Sequence, residues 1–151
     1  MTAIQNNPQD EAAIRAIIEE IRKAVREKNV EGMLAQSAEH VSTYDMMPPL
    51  KHKGKDAIRA LWKKSLAPFV GPLDYDVHHL ELYIGDSVAF SKSLNRFGGK
   101  LENGEYSATW ICSTLGFQKI EEQWKIIHEH VSVPADPETG MAMFDLQPTE
   151  F

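Results

Sequence analysis

Cysteine and clusters of basic residues are scarce in this sequence. Cys112 is the single cysteine, and no run of lysine and arginine interleaved with aromatic residues occurs. One cysteine excludes an intramolecular disulfide, and the apolar neighbours of Cys112 favour a packed side chain over a nucleophile. The formal net charge is −6, so a phosphate backbone finds no evident attractive surface. We therefore expect no nucleic-acid partner.

Long hydrophobic runs and glycine-rich loops are also missing. The first apolar stretch is interrupted at short intervals by the charged residues Arg15, Glu19, Glu20, Arg22 and Lys23. Such a stretch is neither a signal-peptide core nor a spanning helix, which predicts a cytoplasmic protein without a membrane partner. The phosphate-binding loop, the dinucleotide fingerprint and the Gly-x-Ser-x-Gly elbow are absent, so we expect no cofactor.

The composition that remains fits one globular unit. The chain has 151 residues, of which 42% are hydrophobic, enough for one core and too few for two ordinary domains. We expect a single domain over residues 1–151, with a core at 10–134 and a tail at 135–151. The tail keeps Met141, Met143, Phe144, Leu146 and Phe151, and we expect it to lie along a surface or a partner subunit.

Hydrophobic spacing predicts three helices in the first half of the chain. Apolar residues recur every three or four positions from Ile14 to Val25, which predicts a helix between Asp10 and Asn29. A shorter second helix is expected at 30–37. The same spacing after Gly54 predicts a third helix that reaches Phe69.

Outside these predicted helices, most of the chain shows strand patterns. Residues 41–45 resemble a strand that ends before Pro48-Pro49, because proline has no amide hydrogen to donate. Four stretches of period-two alternation follow, separated by turn-forming residues, at 75–84, 87–97, 106–119 and 123–133. Helices at the front and a strand meander at the back predict the α+β class.

Two segments resemble a known superfamily. The segment 124–134, WKIIHEHVSVP, is similar to the last strand of the association domain of calmodulin-dependent kinase II. Residues 38–58, from AEH to GKDAI, resemble the first strand and third-helix entry of ketosteroid isomerase. The element order also resembles that of SnoaL-like cyclases. This nuclear transport factor 2-like resemblance, over residues 10–140, implies a cone-like curved antiparallel sheet, a cystatin-like roll, wrapped by three helices around a small-molecule pocket.

Asp45 is the candidate catalytic residue that this resemblance provides. In ketosteroid isomerase an aspartate nine residues before the glycine removes the substrate proton, and Asp45 matches that spacing before Gly54. A carboxylate partly shielded from water has a pKa closer to neutrality and serves better as a base. The structural alternative is that Asp45 ends its strand and caps the Pro48-Pro49 turn. Both interpretations stay open at this stage.

The isomerase's oxyanion groups have no counterpart at the matching positions. The resemblance calls for a tyrosine on helix one and a protonated aspartate on a strand. Residues 10–37 contain no tyrosine, and residues 106–119 contain no acid. We therefore do not expect steroid isomerisation, whereas aldol-type cyclisation or dehydration that uses Asp45 remains open.

The kinase resemblance suggests ligand-binding positions. Its pocket arginines correspond to Lys92, Leu115 and Val131, of which only Lys92 is charged, so a strongly anion-selective pocket is not expected. Glu129 becomes a second possible acid or the partner of Lys92, with a surface or interface glutamate as the alternative. Trp62 is expected in the core or in the pocket wall.

Side-chain alternation assigns the two faces of the last strand. It places Ile127, Glu129 and Val131 towards the pocket, and His128 and His130 with Trp124 on the opposite face. The histidines could join His78 or His79 around a metal, but no complete ligand set is fixed, and we predict no metal site. In the superfamily the convex face makes the dimer contact, which implies a homodimer through Trp110, Cys112 and Trp124.

Two functions remain open on the sequence. The first is a stand-alone, cofactor-independent isomerase, cyclase or lyase that acts on a small apolar or carbonyl-containing compound through Asp45. The second is a non-catalytic ligand-binding or oligomerisation module similar to the kinase association domain. The sequence leaves open whether the protein is an enzyme.

Overall fold

A computed structural model describes residues 6–149. The polar start before Asn6 and the predicted tail position of Phe151 lie outside the described residues. The helices are α1 (Pro8–Arg26), α2 (Val30–Leu34) and α3 (Lys55–Leu66), and the strands are β1 (Ser37–Tyr44), β2 (His52–Lys53), β3 (Phe69–Ile84), β4 (Val88–Leu101), β5 (Tyr106–Ile120) and β6 (Gln123–Ser132). The predicted α+β class is confirmed.

Helix α1 has clear start and stop signals. The Asn7 side chain accepts hydrogen bonds from the amides of Gln9 and Asp10, and Pro8 occupies a first-turn position. The helix therefore begins two residues before the expected Asp10. Its buried face consists of Ile14, Ile17, Ile18, Ala24 and Val25. These residues pack against the sheet and form the centre of the hydrophobic core.

Within residues 6–149, six strands form one open sheet in the order β2-β1-β6-β5-β4-β3. The four long strands β3 to β6 are the predicted antiparallel meander. Strand β1, however, pairs in parallel with β6, and the two-residue β2 pairs with β1. The predicted sheet is therefore antiparallel except at the parallel β1–β6 pair. Alternation along a strand reports which faces its side chains take and carries no information on strand direction.

Several element boundaries differ from the sequence prediction. Helix α2 ends at Leu34 because β1 already begins at Ser37. Helix α3 ends at Leu66 and β3 begins at Phe69, six residues before the predicted start. Irregular register between β3 and β4, including a left-handed backbone at His79, interrupts the ladder and bends these long strands. The sheet thereby curves around the helices.

The tail turns back onto the protein. An isolated bridge joins Ala135 to Ala142, and the Met143 amide donates a hydrogen bond to the Pro134 carbonyl. The Thr109 hydroxyl donates a hydrogen bond to the Phe144 carbonyl at 2.9 Å. The described part of the tail therefore lies against β5 of the same chain. Among the helices of residues 6–149, none has the length and apolar character needed to cross a membrane.

Candidate functional site

A cavity of about 200 Å³ lies between α3 and the concave face of the sheet. Asp45, Trp62, Tyr75 and Glu129 are among its lining residues. Two smaller cavities, of about 40 and 30 Å³, share Trp62 and Glu129 with it. The three spaces therefore converge on the same indole and the same carboxyl group.

Glu129 lies at the centre of this arrangement. On β6 it stands beside Thr43 of the parallel strand β1 and opposite Leu115 of β5. Burial, and secondarily the negative charge of Asp45, raises the pKa of the Glu129 carboxyl to about 7. Part of its surface stays accessible, because the residue faces the cavities. Near neutral pH the side chain is therefore able both to donate and to accept a proton.

Asp45 follows the last residue of β1 and lines two of the cavities. Its Oδ1 accepts a hydrogen bond of 2.9 Å from the Met47 amide. This is the turn contact that the structural alternative anticipated. The same residue nevertheless lines the cavity next to Glu129. The Asp45 side chain therefore both caps the turn and faces the cavity.

Trp62 and Leu115 form apolar walls. Trp62, on α3, packs against the hydrophobic core and lines all three cavities. Leu115, on β5, faces only the inner cavity of about 40 Å³. Val131 lines the cavity of about 200 Å³ together with Glu129.

Lys92 does not reach the cavities. Its ammonium group forms an ion pair with Glu81 at 3.2 Å and lies over the ring of Tyr83, on the outer face of β4. Its neighbours Ser91 and Ser93 face inward and line the inner cavity. The predicted placement of Lys92 in the pocket is therefore wrong by one position, because successive side chains on a strand point to opposite faces.

A bulge on β6 changes the faces predicted for this strand. Gly116 pairs with His128, but the next residue, Phe117, pairs with Ile126, so Ile127 is an extra residue. Trp124 and Ile126 consequently face inward and are buried in the core, 5% and 4% exposed. Trp124 therefore cannot form the expected outer-face dimer contact. Strict alternation, on which that prediction depended, does not hold across a bulge.

The outer face of β6 carries the two histidines. The Ser42 hydroxyl lies 2.9 Å from Nδ1 of His128, and the Tyr44 ring contacts both His128 and His130. Burial lowers the pKa of His128, which favours a neutral ring at this position. Within residues 6–149, no group of three or more histidine, cysteine, aspartate or glutamate side chains has a geometry that could hold a metal ion.

The concave face also holds polar residues that the sequence analysis missed. Tyr75 on β3 is 6% exposed, and its hydroxyl accepts a hydrogen bond of 2.8 Å from the Asn95 amide. Ser93 in turn donates to Oδ1 of Asn95 at 2.8 Å. A sequence signal existed, because Ser91, Ser93 and Asn95 place polar groups at every second position of β4, on the face expected to be apolar.

Comparison with known proteins identifies the family. A SnoaL-like domain matches residues 14–136, which is most of the chain. The chain belongs to the SnoaL-like family. No curated protein matches this SnoaL-like chain. An NTF2-like protein of unknown function from Pseudomonas putida is 32% identical, with a TM-score of 0.85 and coverage of 95% of this chain and 100% of that one.

More distant structures share the fold alone. A ketosteroid isomerase-like protein from Erwinia carotovora atroseptica is 13% identical, with a TM-score of 0.70 and coverage of 83% of this chain and 97% of that one. The association domain of C. elegans CaMKII is 14% identical, with a TM-score of 0.65 and coverage of 83% and 96%. The predicted nuclear transport factor 2-like fold is thus confirmed for this SnoaL-like protein.

Proposed function

We propose that this SnoaL-like protein binds a small apolar or carbonyl-containing compound and catalyses an isomerisation, cyclisation or elimination without a cofactor. The observation that supports this most directly is that Asp45 and Glu129 line one cavity of about 200 Å³. Asp45 acts as the general base and Glu129 as the proton donor. Trp62 provides an apolar wall that holds the compound, and Leu115 lines the inner cavity next to it.

When two carboxyl groups in one cavity have different pKa values, one can act as the general acid and the other as the general base. The charge of Asp45 helps to raise the pKa of Glu129 to about 7, so Glu129 keeps its proton for part of the time at neutral pH. Asp45 takes a proton from carbon, and the electron pair of that bond moves towards the carbonyl group. Glu129 then supplies a proton at another atom, and the net charge of the compound is unchanged.

The cavity limits the size of the compound. Drug-sized ligands occupy pockets of roughly 300–1,000 Å³, whereas a dry cavity of about 150 Å³ accepts benzene. The cavity of about 200 Å³ therefore suits a compound with one ring or a short branched chain.

Deuterium exchange tests the proposal without knowledge of the product. Small ketones would be incubated with the protein in deuterium oxide, and label at the carbon next to the carbonyl would be followed by NMR. We expect Asp45→Asn to slow the exchange by about 100-fold or more. Asp86→Asn, in the exposed turn between β3 and β4, is the matched control. Equal exchange rates for the wild type and Asp45→Asn would refute the role of Asp45.

The alternative is a non-catalytic ligand-binding or oligomerisation module. The likeness to the CaMKII association domain supports it, as does the outer sheet face, where Phe90 and Cys112 are exposed.

Whichever of the two functions the protein has, we propose that it forms a homodimer through this outer face of the sheet. Light scattering of the wild type and of Cys112→Arg tests this, with a dimer that becomes a monomer as the expected result. Rings of many subunits together with absent exchange activity would favour the association module.

A further inference from the structure

Tyr75 ends a directed chain of hydrogen bonds. The Ser93 hydroxyl donates to Oδ1 of Asn95, and Nδ2 of Asn95 donates to Oη of Tyr75, each at 2.8 Å. Because the amide oxygen of Asn95 accepts from Ser93, its nitrogen must point at the phenol. The Tyr75 oxygen is thus an acceptor in this chain, and its own hydrogen is left to donate elsewhere.

The remaining hydrogen of Tyr75 has an open space to point into. Tyr75 lines both the cavity of about 200 Å³ and the inner cavity of about 40 Å³. No hydrogen bond among the described residues uses its O–H as the donor. Burial, followed by the negative charge of Glu129, raises the pKa of Tyr75, so the phenol stays protonated at all physiological pH values.

We propose that the Tyr75 hydroxyl donates a hydrogen bond to the carbonyl oxygen of the bound compound, and that Asn95 and Ser93 position it. The compound is then a small ketone or enone with about one ring. This inference rests on the proposed function, because it assigns the group that receives the negative charge when Asp45 removes a proton from carbon.

The surroundings of Tyr75 suit such a ligand. Phe97, Ile111 and Val131 line the same cavity and offer apolar contacts to a hydrocarbon ring. Asp45 and Glu129 are the residues with carboxyl groups in that lining. An ionised carboxylate does not attract a carbonyl oxygen, whereas a hydroxyl donor does. The Ser65 and Thr109 hydroxyls in the same lining already donate to the backbone carbonyls of Leu61 and Phe144, so Tyr75 is the hydroxyl whose hydrogen remains for the ligand oxygen.

The chemistry balances without further reagents. Asp45 takes the proton from the carbon next to the carbonyl, the C–H electron pair forms a C=C bond, and the C=O π pair moves to oxygen. The developing enolate oxygen accepts the Tyr75 hydrogen bond, which strengthens as charge accumulates. Return of a proton to the same carbon gives exchange, and its return to another carbon of an enone gives isomerisation.

Infrared spectroscopy of a bound ketone tests the donor directly. The probe is cyclohexenone labelled with carbon-13 at the carbonyl, added to the wild type and to variants. A hydrogen bond from Tyr75 lowers the carbonyl stretching frequency of the bound probe below its value in an apolar solvent. We expect Tyr75→Phe to abolish the shift and Asn95→Ala to reduce it. Tyr83→Phe, on the outer face, should retain it in full.

The outcomes separate this inference from the proposed function. Asp45→Asn should keep the carbonyl shift but lose deuterium exchange. A shift that survives in Tyr75→Phe overturns the role of Tyr75 and leaves Asp45 untouched. A shift that depends on Tyr75, with no exchange activity, supports a binding role for Tyr75 and overturns the enzymatic proposal. Absence of saturable probe binding to the folded wild type overturns the assigned ligand class.

Discussion

The indole Nε1 of Trp124 donates a hydrogen bond to the Asp10 carboxylate at 2.8 Å and thereby joins the last strand to the first helix. Lys119 forms an ion pair with the same carboxylate at 3.0 Å and lies over the indole ring. The hydrogen bonds from Trp124 and then from Lys119 lower the pKa of Asp10. The contacts among these three side chains hold α1 against strands β5 and β6.

Removal of the indole donor should therefore raise the pKa of Asp10. In Trp124→Phe the carboxylate loses its strongest stabilising contact, and we expect its pKa to move up towards the ordinary value. Carbon-detected NMR of the aspartate side chains would measure this. A lowered pKa stabilises the folded state above the unfolded pKa, so the wild type should lose this contribution as the pH falls below about 4. Trp124→Phe should lose less, because Lys119 still lowers the pKa of Asp10. An unchanged Asp10 titration would contradict the contact.

Glu129 should make stability depend on pH in the opposite sense. Its pKa rises from 4.5 to about 7 on folding, so the folded state binds more protons between these values and stability falls as the pH rises through them. At about 1.4 kcal/mol per pKa unit, the loss amounts to roughly 3–4 kcal/mol. Glu129→Gln should remove it: the variant gains stability over the wild type at about pH 8 and little at about pH 4. Urea unfolding across this range is the measurement.

Glu81→Gln is the matched control for Glu129→Gln. Hydrogen bonds from Tyr83 and then from Lys92 lower the pKa of Glu81, so its substitution should cost stability at neutral pH and nothing in acid. The same pH trend in both variants would show that the effect does not come from the buried site. Asp45→Asn should also lower the pKa of Glu129, because the charge of Asp45 is one of its two causes.

Two glycines on neighbouring strands should respond differently to alanine. A Cβ at Gly98 would lie 2.7 Å from Cβ of Ala108 and 2.9 Å from the Ser107 carbonyl oxygen, whereas at Gly116 the nearest atom, Cβ of His128, is 3.5 Å away. We expect Gly98→Ala to lower the free energy of unfolding by about 1–3 kcal/mol because of overpacking. Gly116→Ala should change it by less than about 1 kcal/mol, towards greater stability. Equal effects in denaturant titrations would contradict the close approach of β4 and β5.

Thr43 carries an unpaired polar atom beside the site. Its Oγ1 is buried without a hydrogen-bond partner among residues 6–149, and the residue is 2% exposed next to Glu129. Because a buried unsatisfied hydroxyl costs about 1–3 kcal/mol, we expect Thr43→Val to stabilise the protein by about 1 kcal/mol. Thr114→Val, on the outer face, should have an effect within about 0.5 kcal/mol. A loss of stability in Thr43→Val would mean that the hydroxyl has a partner in solution.

Local sequence patterns predicted much of this architecture. The spacing from Ile14 to Val25 predicted α1, since a helix buries residues three and four apart. The meander was predictable because short segments that interrupt the alternation separate its strands. One of these segments is Glu121-Glu122, and both residues adopt a left-handed backbone conformation between β5 and β6. The position of Asp45 at the end of β1 also agreed with the spacing before Gly54.

The remaining features depend on relations between distant parts of the chain. The extra residue Ile127 is set by how β6 matches β5, and nothing in the residue itself marks it. Consequently the inward orientation of Trp124 was not predicted. Tyr75 and Asn95 belong to different strands, and only the β3–β4 register brings their side chains together. The resemblance placed the oxyanion groups within residues 10–37 and 106–119, and Tyr75 on β3 lies outside both ranges.

The parallel pairing of β1 with β6 has a kinetic consequence. Thr43 and Glu129 are adjacent in space although they come from opposite halves of the chain. Their meeting closes a loop of more than 80 residues, which costs more chain entropy than any hairpin in the meander. During synthesis β6 must therefore leave the ribosome before Glu129 can take its place beside β1. The cavity with its two carboxyl groups forms only when the whole sheet is complete.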